Sequence, residues 1–99
     1  MTQIYNCLLD VEKAAKESGK PMQCDYIPAW QQLVTPILKY ELCQQDENYS
    51  SDHKKTQGAI YLQEAIEYYE PVQKYFAESK PVQESLKVFL NTVKHTLRP

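Results

Sequence analysis

Glycine is scarce in this chain, with two residues among 99. No segment of useful length alternates apolar and polar residues in the way of a half-buried β-strand. Turn-rich β-sandwiches and barrels need glycines in their turns and strands in which apolar and polar residues alternate. The sequence therefore argues against an all-β fold. Because a chain this short cannot divide its apolar side chains between two cores, we expect a single domain over residues 1–99.

Cysteine is also scarce, and its number is odd. The three residues Cys7, Cys24 and Cys43 are far apart, and neither a CxxC nor a CxxH spacing occurs. A local zinc ligand pair or a thioredoxin-type motif is therefore excluded. We expect no metal, no cofactor, and reduced, mostly buried thiols in a cytoplasmic protein.

Neither a basic patch nor a long apolar run is present. The formal net charge is −2, which gives nothing that would attract a phosphate backbone. No apolar stretch approaches the roughly 20 residues of a membrane-spanning helix, and the N-terminal segment lacks the basic region of a signal peptide. We therefore expect neither a nucleic-acid partner nor a membrane.

Apolar residues at steps of three and four occur in four segments. This spacing predicts amphipathic helices over residues 2–18, about 28–43, about 52–78 and about 81–97. Four such helices with short to medium connections predict an all-α fold, an antiparallel four-helix bundle. Two helical hairpins packed side by side are the alternative arrangement.

Two prolines, Pro36 and Pro71, lie within the second and third predicted helices. A proline inside a helix costs about 3 kcal/mol, because it removes a hydrogen bond and its ring clashes with the carbonyl four residues earlier. For Pro71 this is the carbonyl of Glu67. The apolar spacing nevertheless continues in phase across Pro71. We therefore predict proline kinks in the second and third helices, and a third helix that is kinked but continuous, with two separate helices as the alternative.

The third predicted helix carries two apolar stripes. The first contains Leu62, Ile66, Tyr69 and Phe76, and the second contains Tyr61, Ala65, Tyr68, Val72 and Tyr75. One stripe is enough for a helix at the edge of a small bundle. The second stripe either closes the edge of the core, with its hydroxyls in water, or forms a contact face for another protein. On the second interpretation the partner-binding residues are Tyr61, Glu64, Tyr68, Val72 and Tyr75.

Three short segments, QLVT (32–35), IEYYEP (66–71) and NTVK (91–94), resemble segments that occur in the same order in the colicin-nuclease immunity proteins. Those are small acidic four-helix proteins whose paired tyrosines hold the toxin, so the resemblance implies a protein-binding role for Tyr68 and Tyr69. It covers fourteen residues. The flanking Glu67 and Glu70 and the longer spacing before NTVK depart from the family pattern, and membership does not follow.

No catalytic motif is evident. The two histidines, His53 and His95, occupy usually solvated positions, and Glu64, Glu67 and Glu70 lack the Glu-x-x-His pairs of a di-iron bundle. We expect a non-enzymatic module, of the immunity, antitoxin, chaperone or adaptor type. It would bind a protein of unknown identity, or itself as a homodimer.

The alternative is a small-ligand binder or minor enzyme with a site between the kinked helices. Bent helices can leave such a gap. It would lie near Trp30, Tyr68 and Tyr75.

Overall fold

A computed structural model describes residues 2–18 and 27–97 of the chain. It contains five helices: α1 (Gln3–Glu17), α2 (Ile27–Gln45), α3 (Ser51–Glu67), α4 (Tyr69–Tyr75) and α5 (Lys80–Leu97). No strand occurs in the described ranges. Cys24, whose thiol we expect to be reduced, lies outside the described residues.

The helices pack as antiparallel neighbours in two pairs, α2 with α3 and α1 with α5. At the α2–α3 connection, Gln44 Nε2 donates to the carbonyl of Lys54 at 3.2 Å, and Lys54 Nζ donates to the carbonyl of Gln44 at 3.0 Å. Further along the pair, Gly58 faces Tyr40. A residue later in α3 thus meets one earlier in α2, as antiparallel packing requires.

The pair α1 and α5 shows the same order. Cys7 Sγ lies 3.7 Å from Thr92 Oγ1 near one end of the pair, whereas Glu17 and Pro81 are at the other end, and the depression that they line extends along both helices. The predicted all-α fold, an antiparallel four-helix bundle, is confirmed, with α3 and α4 together forming its third arm.

The core is built from one heptad stripe on each arm. Buried side chains recur at steps of three and four, a spacing typical of helices that pack with a slight left-handed twist. In α1 they are Ile4, Leu8, Val11 and Ala15; in α5 they are Val82, Leu86, Phe89 and Val93; in the third arm they are Leu62, Ala65, Tyr69, Val72 and Phe76. The buried stripe of the third arm therefore takes Leu62, Tyr69 and Phe76 from the first predicted stripe and Ala65 and Val72 from the second.

The third arm is interrupted at Tyr68, and the expectation of one continuous helix over 52–78 is wrong in this respect. Tyr68 has φ −97° and ψ 5° and is the single residue between α3 and α4. Its amide still donates to the carbonyls of Glu64 and Ala65, at 3.3 and 3.2 Å. Pro71 explains the position of the break: it has no N–H for the carbonyl of Glu67, four residues earlier, and α3 ends at Glu67.

Pro71 itself lies in the first turn of α4. There the amide hydrogen that proline lacks would have had no partner within the helix. The proline is therefore tolerated because the helix restarts just before it. Pro36, by contrast, lies inside an α2 that continues to Gln45.

A hydrogen-bonded carboxylate joins the start of α1 to the C-terminal half of α2. Glu41 is buried, and its two carboxylate oxygens accept from the amide of Thr2 at 3.0 and 3.1 Å. Gln45 Nε2 donates to Glu41 Oε1 at 2.8 Å. Burial by itself would raise the pKa of Glu41, but the hydrogen bonds from Thr2 and Gln45 outweigh it and the pKa is lowered.

Candidate interaction surface on α2 and α3

The side of the α2–α3 pair that faces away from α1 and α5 carries several exposed apolar side chains. Each residue of a helix turns about 100°. Leu42 therefore points opposite to buried Leu33 in α2, and Ile60 points nearly opposite to buried Leu62 in α3. The α2–α3 outer face is defined here by the exposed residues Leu38, Leu42, Tyr49, Ile60 and Tyr68. Leu42 is the most open of these, with 69% of its surface exposed.

A first depression of about 460 Å³ lies on this face, near the break in the third arm. Tyr68 and Glu64 line it from α3, and Pro28, Gln32 and Pro36 are among its α2 residues. Tyr68 is 37% exposed. Two of the five predicted contact residues therefore lie together, a tyrosine beside an acid, at the surface.

A second depression of about 480 Å³ continues in line with the first along the same two helices. Half-buried Tyr61 lines it from α3, and Leu42 and Lys39 line it from α2. The ring of Tyr49 lies 4.4 Å from that of His53, centroid to centroid, at the end of this depression. Tyr61 thus belongs to the same outer face as Tyr68 and Glu64.

The remaining two predicted contact residues do not lie in these depressions. Val72 is 0% exposed, a member of the core stripe, so its side chain cannot contact a partner, and its assignment to the contact face is wrong. Tyr75 is half-buried against the core and packs edge-on against Phe76, with ring centroids 4.9 Å apart. Its assignment is not supported by a shared depression with Tyr61 or Tyr68.

The prediction placed the candidate contact face on the third helix alone and did not include the exposed apolar residues of α2. Leu38 and Leu42 are exposed although their neighbours Ile37 and Cys43 are buried. The signal was in the sequence, because α2 carries apolar residues around more of its circumference than one buried stripe can use.

The pair of tyrosines implied by the immunity-protein resemblance is split between core and surface. Tyr69 is only 9% exposed, and burial raises the pKa of its hydroxyl. Tyr68 alone is open to a partner. The alternative ligand site near Trp30, Tyr68 and Tyr75 is likewise divided, because the depression that Tyr68 lines contains neither of the other two.

The cysteine and histidine side chains of the described residues do not form a hydrogen-bonded nucleophile–base pair. Cys43 and His53 line the same depression, but among the described residues no hydrogen bond joins them. Cys7 and Cys43 are buried free thiols. Within residues 2–18 and 27–97, no group of three or more His, Cys, Asp or Glu side chains could hold a metal ion, and no helix is both long and apolar enough to cross a bilayer.

Comparison with known proteins gives no relative. No family model, no curated protein and no solved structure matches the chain.

Proposed function

We propose that this protein is a non-enzymatic interaction module that binds a protein partner, or a second copy of itself, through the α2–α3 outer face. The proposal keeps Tyr61, Glu64 and Tyr68 as contact residues. It adds Leu42 from α2, which lines the second depression.

The observation that carries the proposal is that the exposed side chains of Leu42, Tyr49 and Tyr68 line two adjoining depressions on one side of one helix pair. Single exposed apolar residues are ordinary on protein surfaces, but a row of them beside a groove marks an interaction site. Tyrosine adds to this, because its ring supplies contact area and its hydroxyl can bond to a partner. Glu64 places an acid at the edge of the face.

The test compares two exposed apolar residues on opposite sides of the molecule. Leu42→Glu places a charge on the outer face, and Val88→Glu places one at a comparably exposed site on α5. Both variants should keep the thermal unfolding midpoint, because neither side chain is buried. Sedimentation at a series of concentrations measures self-association, and capture from host lysate on immobilised protein measures binding to other proteins.

The expected result is that Leu42→Glu weakens dimerisation or capture at least about tenfold, since a buried unpaired charge costs well over 1.4 kcal/mol. Val88→Glu should behave as the parent protein. The proposal is contradicted if the parent protein stays monomeric and captures the same proteins from lysate as the Leu42→Glu variant does. A cytoplasmic location and the lack of catalysis stay predictions from the sequence.

A further inference from the structure

Another concave site, separate from the two depressions of the α2–α3 outer face, lies at the end of the bundle where the C-terminal ends of α2 and α5 meet the first turns of α3. Its volume is about 320 Å³, near the lower end of the range for small-ligand pockets. It is called the lysine pocket here, and its principal residues are Tyr40, Ser51, Lys54, Lys55, Leu62 and Leu97. It shares no lining residue with the two depressions of the α2–α3 outer face.

The charged groups of the lysine pocket are all positive. Lys54 and Lys55 contribute ammonium groups, and no aspartate or glutamate is among the described residues that line it. Lys54 Nζ gives one hydrogen bond, to the carbonyl of Gln44, which leaves two of its three hydrogens for another acceptor. Both lysines lie in the first two turns of α3, and their ammonium groups offset the partial negative charge of the C-terminal ends of α2 and α5 that also border the pocket.

Tyr40 supplies an independent indication of a ligand. Its side chain is only 9% exposed, and no hydrogen bond to its hydroxyl is found within the described part of the chain. Burial, with the nearby Glu41 and Cys43, raises the pKa of this hydroxyl, so it stays a protonated donor. The hydroxyl hydrogen is therefore available to an acceptor that binds in the pocket.

The remaining wall is apolar. Leu62 and Leu97 line the pocket with Ala59, and Gly58 presents no side chain next to Tyr40. We propose that the lysine pocket binds a small anion, a carboxylate or a phosphate ester, that carries a short apolar group. The anionic oxygens contact Lys54, Lys55 and the hydroxyl of Tyr40, and the apolar group lies against the leucines.

The experiment titrates the full chain with four probes and follows backbone amide shifts by nuclear magnetic resonance. Hexanoate and hexyl phosphate combine an anion with an apolar chain, hexanol keeps the chain without charge, and inorganic phosphate keeps the charge without the chain. The two amphipathic anions should saturate, with shifts concentrated at residues 40–44, 51–59 and 96–97. Hexanol and inorganic phosphate should each bind at least about tenfold more weakly, the change expected when a charge-assisted hydrogen bond or a buried apolar group is lost. Whichever of hexanoate and hexyl phosphate binds more tightly identifies the anion.

Two variants separate binding from folding. Tyr40→Phe removes the unpartnered hydroxyl, so the unfolding midpoint without ligand should be unchanged or higher, while affinity for the preferred anion falls about tenfold. Lys55→Gln removes an exposed charge and should weaken the anions without affecting hexanol. The matched control is Lys87→Gln, which removes an exposed charge on α5 outside the pocket. Equal affinity for hexanol and hexanoate, shifts confined to other parts of the molecule, or full affinity in both Tyr40→Phe and Lys55→Gln would overturn the proposal.

Discussion

Gly58 is the residue at which the structure makes its most specific prediction about stability. It lies inside α3, where alanine would normally be favoured over glycine by about 1 kcal/mol. A Cβ at this position would lie 3.0 Å from Gln44 Nε2 and 3.1 and 3.2 Å from two carbons of the Tyr40 ring. The glycine is needed because α2 and α3 approach each other closely at this crossing.

The sign of the effect of Gly58→Ala depends on whether these neighbours can move. The end of the Gln44 side chain can swing away, at the loss of its hydrogen bond to the carbonyl of Lys54. The Tyr40 ring is buried and cannot move without disturbing the core. Overpacking of a core costs about 1–3 kcal/mol. After subtraction of the gain in helix propensity, we expect a net loss of about 1 kcal/mol.

The measurement is urea unfolding followed by circular dichroism. The change in the free energy of unfolding is the difference between the unfolding midpoints multiplied by a slope shared among the variants. In a domain of this size, a loss of about 1 kcal/mol lowers the thermal midpoint by roughly 4–8 °C. The matched control is Thr56, an exposed residue of the same helix, because the difference between Thr56→Ala and Thr56→Gly gives the propensity term without any contact. A second control is Tyr40→Leu, in which Gly58→Ala should be less destabilising than in the parent protein, because only the contact with Gln44 remains. If Gly58→Ala stabilises the protein as much as alanine over glycine does at 56, the close approach of α2 and α3 is refuted.

Two further predictions concern hydrogen bonds that join separate helices. Because the folded pKa of Glu41 lies below the value of about 4.3 for an unfolded chain, its stabilising contribution is complete above that value and is lost as the pH falls through the folded pKa. Glu41→Gln should therefore cost about 1–3 kcal/mol at pH 7 and flatten the acid side of the stability profile, and an unchanged acid slope would contradict the role of its bonds to Thr2. Gln83 Nε2 donates to two carbonyls near the end of α4, that of Gln73 at 3.0 Å and that of Phe76 at 2.8 Å. Gln83→Ala should lower the free energy of unfolding by about 1–2 kcal/mol, whereas Gln63→Ala, at an exposed site in α3, should have little effect.

The helical fold could be predicted from the sequence because local signals and apolar spacing agree. Thr2 caps α1 by accepting from the amide of Tyr5 at 3.2 Å. Pro81 lies in the first turn of α5, where its fixed φ is favourable. The exposed pair Glu70 and Lys74 forms the ion pair expected of an i, i+4 spacing, at 2.9 Å. All of these interactions lie within one or two turns of one chain segment, so they can be recognised without knowledge of the neighbours.

The break at Tyr68 could not be located in the same way. A proline indicates only that the hydrogen bond to the residue four positions earlier is missing, and both a kink and an interruption satisfy that condition. Apolar residues stay in phase across the break, because Tyr69 and Val72 continue the heptad stripe of α3. Phase therefore shows which side of each segment is buried, but not whether the helix is continuous.

The sequence also could not predict which apolar residues would be exposed, because burial depends on the position of the neighbouring helix. Tyr61, Tyr68 and Tyr75 occur seven residues apart, each directly before a core residue of the third arm. Seven-residue spacing gives them the same orientation relative to the core, but not the same neighbours. Tyr61 and Tyr68 lie beside α2, and each lines a depression there, whereas Tyr75, beyond the break, packs against Phe76. The proposed contact surface follows the groove between α2 and α3, which explains why only two of the three tyrosines, Tyr61 and Tyr68, line it.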